Sequence, residues 1–387
     1  MESSIAHQLE VTEATGRDDL LAAIAAYARA VLLEAKREPA IPPPPNVLAN
    51  VLRWLELPVF ICGHHRSGTT LLQQLLDGHP QLVVVPGEGT LFSSFKYLAR
   101  SSPAKADIER FAVNWVERFV DPNFEPHFKL GRTGSTNPSV EFVRRLLMWD
   151  RQLRASRPDW RRVVPLMAVA AAYQDRVVER DLIRGWTDKT PLNENHVKRL
   201  QVVKQARFIH MIRRPSDTLA SLRHAMRGAR FDAAMHSEAI GRSLKLASRN
   251  QRLYHDRYLV VRYEDLVENT AATMEWVRQF LSLSPSSTLA IPTSTGFATR
   301  SNSSFERSEP GVIRRSHQRL TFPASDSVAL AALTGSAARG FGYPSPSVAL
   351  ATGIVYRLRG SFGRIARRLG SRFASVMRLR GRLRSRA

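Results

Sequence analysis

The chain has 387 residues, of which 43% are hydrophobic and 24% charged, proportions typical of a folded globular protein and not of a disordered or fibrous one. A single cysteine, Cys62, excludes an intrachain disulfide framework, and no stretch reaches the ~20 apolar residues of a transmembrane helix. The net charge is unusually high at +23, and the N-terminal stretch has no apolar signal core, so we expect a basic cytoplasmic protein.

The predicted elements alternate between helices and short buried strands. A helix is expected over residues 18–38, followed by a proline-rich connector at residues 40–47. Residues 100–185 are expected to be mostly helical, and the Ser- and Thr-rich residues 282–304 to form a long loop. Four short apolar runs have the length of buried parallel strands: 59–62, 82–85, 207–212 and 258–262. The sequence therefore predicts an α/β fold, three-layer α/β/α, with a central parallel sheet, a phosphate-binding loop and helical additions.

A glycine-rich segment between the first predicted strand and the next helix has the layout of a phosphate-binding loop. It reads GHHRSGTT over residues 63–70, and its glycines let backbone N–H groups turn toward an anion at the start of a helix. Thr69 stands where nucleoside triphosphatases carry a lysine, and Arg66 supplies a cation inside the loop instead. This composition favours a single terminal phosphate over a triphosphate with its metal ion. The alternative is an ordinary strand–turn–helix whose glycines serve only the tight turn.

A second candidate anion site follows the predicted strand at residues 207–212. Its sequence, RRPSDTLAS, places Arg213 at the strand end and Ser221 on the following helix. Arginine offers forked, always-charged donors that suit a phosphate group. A carboxylate suited to a metal ion does not end this strand, because Arg213 and Arg214 follow it directly. The alternative is that Arg213 pairs with a carboxylate of the protein.

Together the two motifs resemble those of the sulfotransferase superfamily, which uses 3′-phosphoadenylyl sulfate as its sulfuryl donor. The segment RSGTTLL at residues 66–72 is similar to the family's loop for the 5′-phosphosulfate, and the run R-x-P-x-D-x-x-x-S at residues 213–221 is similar to its 3′-phosphate motif. The resemblance extends over residues 58–320 and implies that no metal is required. The donor-binding residues that it implies are Arg66, Ser67, Gly68, Thr69, Thr70, Arg213 and Ser221.

Two further segments resemble the tyrosylprotein, heparan sulfate and bacterial branches more than the cytosolic branch that sulfates phenols and steroids. GEG at residues 87–89 follows the second predicted strand, and WTDKTP at residues 186–191 precedes the strand of the 3′-phosphate motif. By this resemblance Glu88 is the base that takes the acceptor proton, and Lys189 and Arg66 stabilise the charge that develops on the leaving group. The alternatives are a solvated loop glutamate and a surface or ion-paired lysine.

A polar segment near the end of the resemblance contains further arginines. In the family a basic loop closes over the 3′ end of the nucleotide in this region, and Arg300, Arg314 and Arg315 are the candidates here. The segment departs from the K-G-x-x-G-x-W-K pattern of the cytosolic branch. Phosphate contact by Arg300 or Arg314 and a plain polar surface loop therefore both stay open.

The histidines are expected to have structural roles. His64 and His65 lie inside the phosphate loop, where they are expected to pack or hydrogen-bond beside the site rather than replace the histidine base of the cytosolic branch. His79 precedes a proline and is expected to close a turn. His196 and His210 lack the spacing of metal ligands, so no metal site is predicted.

The C-terminal segment, residues 354–386, combines apolar side chains at three- and four-residue steps with many arginines. Residues 348–387 contain eleven arginines and no acidic residue. This pattern is typical of a basic amphipathic helix on an anionic membrane surface and predicts peripheral membrane contact. Because the glycines at 360, 363 and 370 weaken the helix, a disordered tail and a helix docked on its own domain stay open as alternatives. Specific nucleic-acid binding is not expected, since base-reading features are missing.

The sequence divides into three predicted parts: an N-terminal helical segment with its proline-rich connector at 1–50, a sulfotransferase domain at 51–345, and an Arg-rich amphipathic or disordered tail at 346–387. The predicted function is metal-independent transfer of a sulfuryl group from 3′-phosphoadenylyl sulfate to the hydroxyl of a small molecule, carbohydrate, lipid or glycolipid. The alternatives are a phosphate-loop kinase or nucleoside triphosphatase, and a non-catalytic basic protein that binds a membrane or nucleic acid.

Overall fold

The computed structural model describes residues 17–92, 105–121, 138–174, 180–226, 231–300, 309–313 and 323–344. The helices are α1 (Arg17–Arg37), α2 (Pro45–Leu55), α3 (Thr69–Asp77), α4 (Lys105–Val120), α5 (Pro138–Ser156), α6 (Val164–Tyr173), α7 (Val197–Leu200), α8 (Pro215–Ala225), α9 (Ala233–Tyr254), α10 (Tyr263–Glu268), α11 (Thr270–Leu281) and α12 (Ala324–Arg339). The strands are β1 (Pro58–Gly63), β2 (Leu82–Val84), β3 (Gly185–Lys189), β4 (Arg207–Ile212), β5 (Tyr258–Arg262), β6 (Thr293–Ser294) and β7 (Phe297–Ala298). None of the helices in the described ranges combines the length and the apolar character needed to span a bilayer. The predicted tail at 346–387 lies outside the described residues.

A central parallel sheet has five strands in the order β2-β3-β1-β4-β5. In its middle, β1 pairs in parallel with β3 on one side and with β4 on the other, so that Phe60 lies beside both Asp188 and Phe208. All six residues of β1 are buried, as expected for a parallel strand covered by helices on both faces. The predicted α/β class with a central parallel sheet is confirmed.

The core has two sides because successive residues of a strand point to opposite faces of the sheet. On one side, Ile61 and its neighbours in the sheet pack against Leu72 of α3 and Val277 of α11. On the other, the Phe60 ring stacks on Phe208 with ring centroids 5.4 Å apart. The Trp186 ring meets Phe60 edge-on at 5.9 Å, and its indole N–H donates to a backbone carbonyl at the end of α2. Helices therefore pack on both faces of the sheet.

Strand β3 is the strand of the central sheet that the sequence did not predict. The four predicted strands are present as β1, β2, β4 and β5, with ends that differ by one residue at most. The sequence of β3, GWTDK, has no apolar run, yet all five of its residues are buried. Its polar side chains are tolerated in the sheet because groups from distant parts of the chain bind them, as shown below for Asp188 and Lys189.

The predicted loop at 282–304 contains more structure than expected. Within its described part, up to residue 300, lie a short 3-10 helix at Ser287–Ala290 and the hairpin of β6 and β7. The two residues between these strands, Thr295 and Gly296, both have positive φ angles, 55° and 78°. Positive φ at both central residues is the requirement of a type I′ hairpin turn, which explains why two such short strands pair.

The contacts of the chain divide it into two compact units. Unit 1 comprises Met1–Gly63, Gly68–Met211 and Asn250–Arg315, and unit 2 comprises His64–Ser67, Ile212–Arg249 and Ser316–Ala387. Unit 1 contains the sheet and helix α1, which forms as predicted and packs against α4 and α5. In unit 2, α8 packs against α12. The predicted domain limits at residues 51 and 345 stay a prediction.

Candidate active site

The predicted phosphate loop joins the end of β1 to the start of α3. Gly63, with a φ of 133°, donates its backbone N–H to the Glu194 carboxylate at 3.0 Å, and its carbonyl accepts from the Leu192 N–H at 2.9 Å. Glu194 is buried, and its own carbonyl accepts a hydrogen bond from Asn250 at 3.2 Å. These buried contacts fix the point at which the chain enters the loop.

Within the loop, residues 64–67 form a tight turn. The Ser67 backbone N–H and side-chain hydroxyl both donate to the His64 carbonyl, at 3.2 and 2.6 Å. His64 is buried with its ring Nδ1 2.9 Å from the His65 carbonyl, a local hydrogen-bonding role like the one expected from the sequence. Arg66 has a positive φ of 67°, a conformation that a non-glycine residue adopts only when its surroundings impose it.

The exit of the loop into α3 requires a glycine. Gly68 has a φ of 96°, and a Cβ atom there would lie 2.4 Å from the Tyr263 ring. The helix then begins at Thr69, which is buried, and continues through the half-buried Thr70. At this helix start the backbone N–H groups have no partner within the helix itself, which is the feature that binds anions in such loops.

Arg66 and Arg213, one residue from each predicted phosphate motif, both lie in unit 2. Arg213, which follows β4 directly, donates from Nη1 to the backbone carbonyl of Arg66 at 3.3 Å. Burial lowers the pKa of the Arg66 guanidinium from its usual value, and the nearby positive charge of Arg213 lowers it further. A bound anion would offset this repulsion between two cations. Ser221 is buried on α8, six residues after the helix begins at Pro215.

Glu88 and Lys189 form an ion pair in unit 1. The Lys189 ammonium lies 2.8 Å from the Glu88 carboxylate, and the side chains are 2% and 26% exposed. Lys189 ends β3, and Glu88 lies in the loop after β2, where the Gln73 side chain donates to the carbonyls of Val85 and Gly87 at 2.7 and 3.1 Å. The structure thus brings together a carboxylate and a cation that are 101 residues apart in the sequence.

Arg118 is a residue of this site that sequence reasoning missed. It lies on α4, is buried, and donates from Nη1 to the backbone carbonyl of Glu88. Its guanidinium lies over the Trp115 ring at 4.2 Å. Burial lowers the pKa of Arg118 to about 10, against the opposing effect of nearby carboxylates, of which Glu88 is the strongest. In the sequence Arg118 is one arginine within an amphipathic helical segment and belongs to no motif, so no local signal could have identified it.

The remaining candidates are placed as follows. Arg300 has an exposed side chain, and its backbone carbonyl accepts from Gln74 of α3 at 3.4 Å. Arg314 and Arg315 lie outside the described residues. His79 closes a turn as predicted, accepting from the Gln81 N–H at 3.1 Å. Within the described ranges, groups of three or more His, Cys, Asp or Glu side chains suited to a metal ion are absent.

The profile of a family described as the sulfotransferase family matches residues 58–286. Similar solved structures include the sulfotransferase domain from the Synechococcus PCC 7002 olefin synthase (19% identity, 75% of this chain and 96% of that chain covered, TM-score 0.40). They also include the sulfotransferase domain from the curacin biosynthetic pathway (16% identity, 74% of this chain and 98% of that chain covered, TM-score 0.40). A third is sulfotransferase STF1 from Mycobacterium tuberculosis H37Rv (18% identity, 69% of this chain and 76% of that chain covered, TM-score 0.38). Curated proteins gave no match. The matched residues 58–286 include both predicted phosphate motifs and the Glu88–Lys189 pair.

Proposed function

This chain belongs to the sulfotransferase family, and on that premise we propose that it transfers a sulfuryl group from 3′-phosphoadenylyl sulfate to a hydroxyl group of an acceptor. The observation that carries the proposal is the hydrogen bond from Arg213 to the backbone carbonyl of Arg66. It joins the arginine of the 3′-phosphate motif to the loop of the 5′-phosphosulfate motif. A donor with phosphates at both the 3′ and the 5′ position of one ribose requires two such anion sites close together.

The proposed donor contacts follow the two motifs. At the 5′ side, Arg66 and the loop residues Ser67, Gly68, Thr69 and Thr70 bind the phosphosulfate through backbone N–H groups, hydroxyls and one guanidinium. At the 3′ side, Arg213 and Ser221 bind the single phosphate. Arg300 and Arg314 are proposed to add positive charge at the 3′ end. Because Thr69 replaces the lysine of nucleoside triphosphatase loops, we propose a donor that needs no Mg²⁺.

The proposed reaction is a single in-line displacement at sulfur. The Glu88 carboxylate takes the proton of the acceptor hydroxyl as the acceptor oxygen forms its bond to sulfur. The bond between sulfur and the bridging oxygen of the 5′-phosphate breaks, and its electron pair leaves with adenosine 3′,5′-bisphosphate. Lys189 and Arg66 stabilise the negative charge that develops on this leaving group. The products are the sulfated acceptor and the bisphosphate, and the proton is on Glu88.

The proposal extends to the acceptor and the cellular site. We propose a small-molecule, carbohydrate or lipid hydroxyl as acceptor and a cytoplasmic enzyme without a specific nucleic-acid partner. The basic residues 354–386, outside the described part of the chain, support a proposed contact with an anionic membrane surface, which would favour a lipid or glycolipid acceptor.

Sulfate transfer in the presence of a chelator tests the proposal. With radiolabelled 3′-phosphoadenylyl sulfate, EDTA and a panel of phenols, sugars, glycolipids and hydroxylated lipids, we expect the label to move to at least one class of acceptor. The parallel assay uses γ-labelled ATP with Mg²⁺ and the same panel, and it should give no labelled product. Transfer of phosphate from ATP, abolished by EDTA, together with no transfer of sulfate, would establish the kinase alternative instead.

A further inference from the structure

The loop that carries Glu88 is attached to the end of β3 by its backbone. The Gly89 N–H donates to Oδ1 of Asp188 at 3.0 Å, and the Thr90 N–H donates to the Thr190 hydroxyl oxygen at 3.1 Å. Asp188 and Thr190 are the two residues on either side of Lys189. The backbone contacts and the ion pair of Glu88 with Lys189 therefore act on the same short segment.

The Asp188 carboxylate is surrounded by donors. Besides the Gly89 N–H, it accepts from the Thr190 hydroxyl at 3.2 and 3.3 Å and from the Asn193 side-chain amide at 2.9 Å. The Thr190 hydroxyl thus accepts a hydrogen bond from the Thr90 N–H and donates one to the Asp188 carboxylate. The ionised carboxylate fits this set of donors, because a protonated carboxyl group would point a hydrogen of its own at one of them.

The approach of the loop to Asp188 leaves no space for a side chain. A Cβ atom on Gly89 would lie 2.1 Å from Oδ1 of Asp188 and 2.4 Å from the Leu166 side chain. Asp188 itself is buried at 5% exposure. A buried carboxylate that holds a backbone N–H next to the proposed base fixes where that base lies, because Glu88 and Gly89 share a peptide unit.

We propose that Asp188 is a positioning residue of the reaction: its carboxylate holds the backbone at Gly89 and so keeps the Glu88 side chain in place against Lys189. The proposal rests on the function proposed above, since it assigns a role toward Glu88 as base. In the proposed role, Asp188 neither takes a proton from the acceptor nor contacts the donor.

The charges around Asp188 give the proposal a distinctive pH dependence. Burial raises the pKa of Asp188 to about 6, and the hydrogen bonds from Thr190, Asn193 and Gly89 and the charge of Lys189 oppose this effect. From α4, Arg118 faces the same carboxylate, and Glu88 is the neighbouring titratable group in the loop. Because the ionised form holds the loop, kcat should fall as the pH drops through about 6.

Two variants test the proposal in the full-length chain, with the best acceptor from the assay described above. Asp188→Asn retains the shape but presents an N–H to one of the surrounding donors, so we expect kcat to fall by about 10- to 100-fold through displacement of Glu88. The dissociation constant for adenosine 3′,5′-bisphosphate should change by less than about twofold. Asp19→Asn, an exposed substitution on α1, is the matched control and should match the unmodified chain.

The second variant, Thr190→Val, separates positioning from a loss of folding. It removes a hydrogen bond that lowers the pKa of Asp188, so the acid limb of the kcat profile should move to higher pH. It also removes the acceptor of the Thr90 N–H, so a loss of kcat at the optimum is expected as well, smaller than that of Asp188→Asn. If Asp188→Asn fails to fold, this shift decides the question. A kcat within about twofold of the unmodified chain for Asp188→Asn, or an unmoved acid limb for Thr190→Val, would overturn the proposal. An unmodified chain that neither binds the bisphosphate nor transfers sulfate would instead overturn the proposed function, and the role of Asp188 with it.

Discussion

Replacing Glu88 with glutamine is expected to lower kcat for sulfate transfer by about 10²–10⁴-fold, the usual contribution of a general base. Glutamine keeps the size of the side chain and an oxygen that can accept from Lys189, but it cannot take the acceptor proton at neutral pH. The backbone contacts of the loop, from Arg118 to the Glu88 carbonyl and from Gly89 to Asp188, do not depend on the carboxylate. Rapid-quench or steady-state transfer assays measure the loss.

The control for this prediction is Glu34→Gln, the same chemical change on an exposed part of α1. Affinity for adenosine 3′,5′-bisphosphate, measured by calorimetry, should be nearly the same in both variants and in the unmodified chain. A Glu88→Gln variant with an unchanged kcat would remove Glu88 from the role of base.

Replacing Arg213 with alanine should weaken adenosine 3′,5′-bisphosphate by about 10- to 100-fold while changing the affinity for adenosine 5′-phosphate far less. The range corresponds to the loss of charge-assisted hydrogen bonds to a phosphate, which contribute about 1.5–3 kcal/mol. Arg213 also holds the Arg66 carbonyl, so its loss could loosen the loop. That effect would weaken both ligands alike, and the ratio of the two dissociation constants therefore reports the 3′ contact alone.

Two variants control the Arg213 experiment. Arg29→Ala removes an exposed guanidinium from α1 and should leave both affinities unchanged. Arg213→Lys keeps the charge but loses the forked pair of donors, so an intermediate loss confined to the bisphosphate is expected. If alanine at position 213 weakens both ligands by the same factor, Arg213 does not bind the 3′-phosphate.

Much of the sheet and of the phosphate loop follows from local sequence. Apolar runs predicted β1, β2, β4 and β5, and the glycine at position 68 predicted the turn into α3, because burial between helices and a positive φ have local signatures. Strand β3 has no such signature. Its buried Asp188 and Lys189 are stabilised by Gly89 and Glu88, which are 99 and 101 residues away in the sequence.

The site shows the same division between local and distant signals. The sequence singles out Glu88 and Lys189 only through the family resemblance, and the structure adds the 2.8 Å distance between them. Arg118 and Glu194 could not be predicted, because an arginine in an amphipathic helix and a glutamate in a polar turn are typical surface residues. Their roles depend on contacts that only the fold creates: buried Arg118 donates to the Glu88 carbonyl, and buried Glu194 accepts from the Gly63 N–H.

The most direct test of the account is a calorimetric titration of the full-length chain with adenosine 3′,5′-bisphosphate in EDTA, repeated with ATP and Mg²⁺. We expect one bisphosphate to bind per chain without metal, and ATP–Mg²⁺ neither to bind tightly nor to displace it. Tight binding of ATP–Mg²⁺ with no measurable binding of the bisphosphate would contradict it.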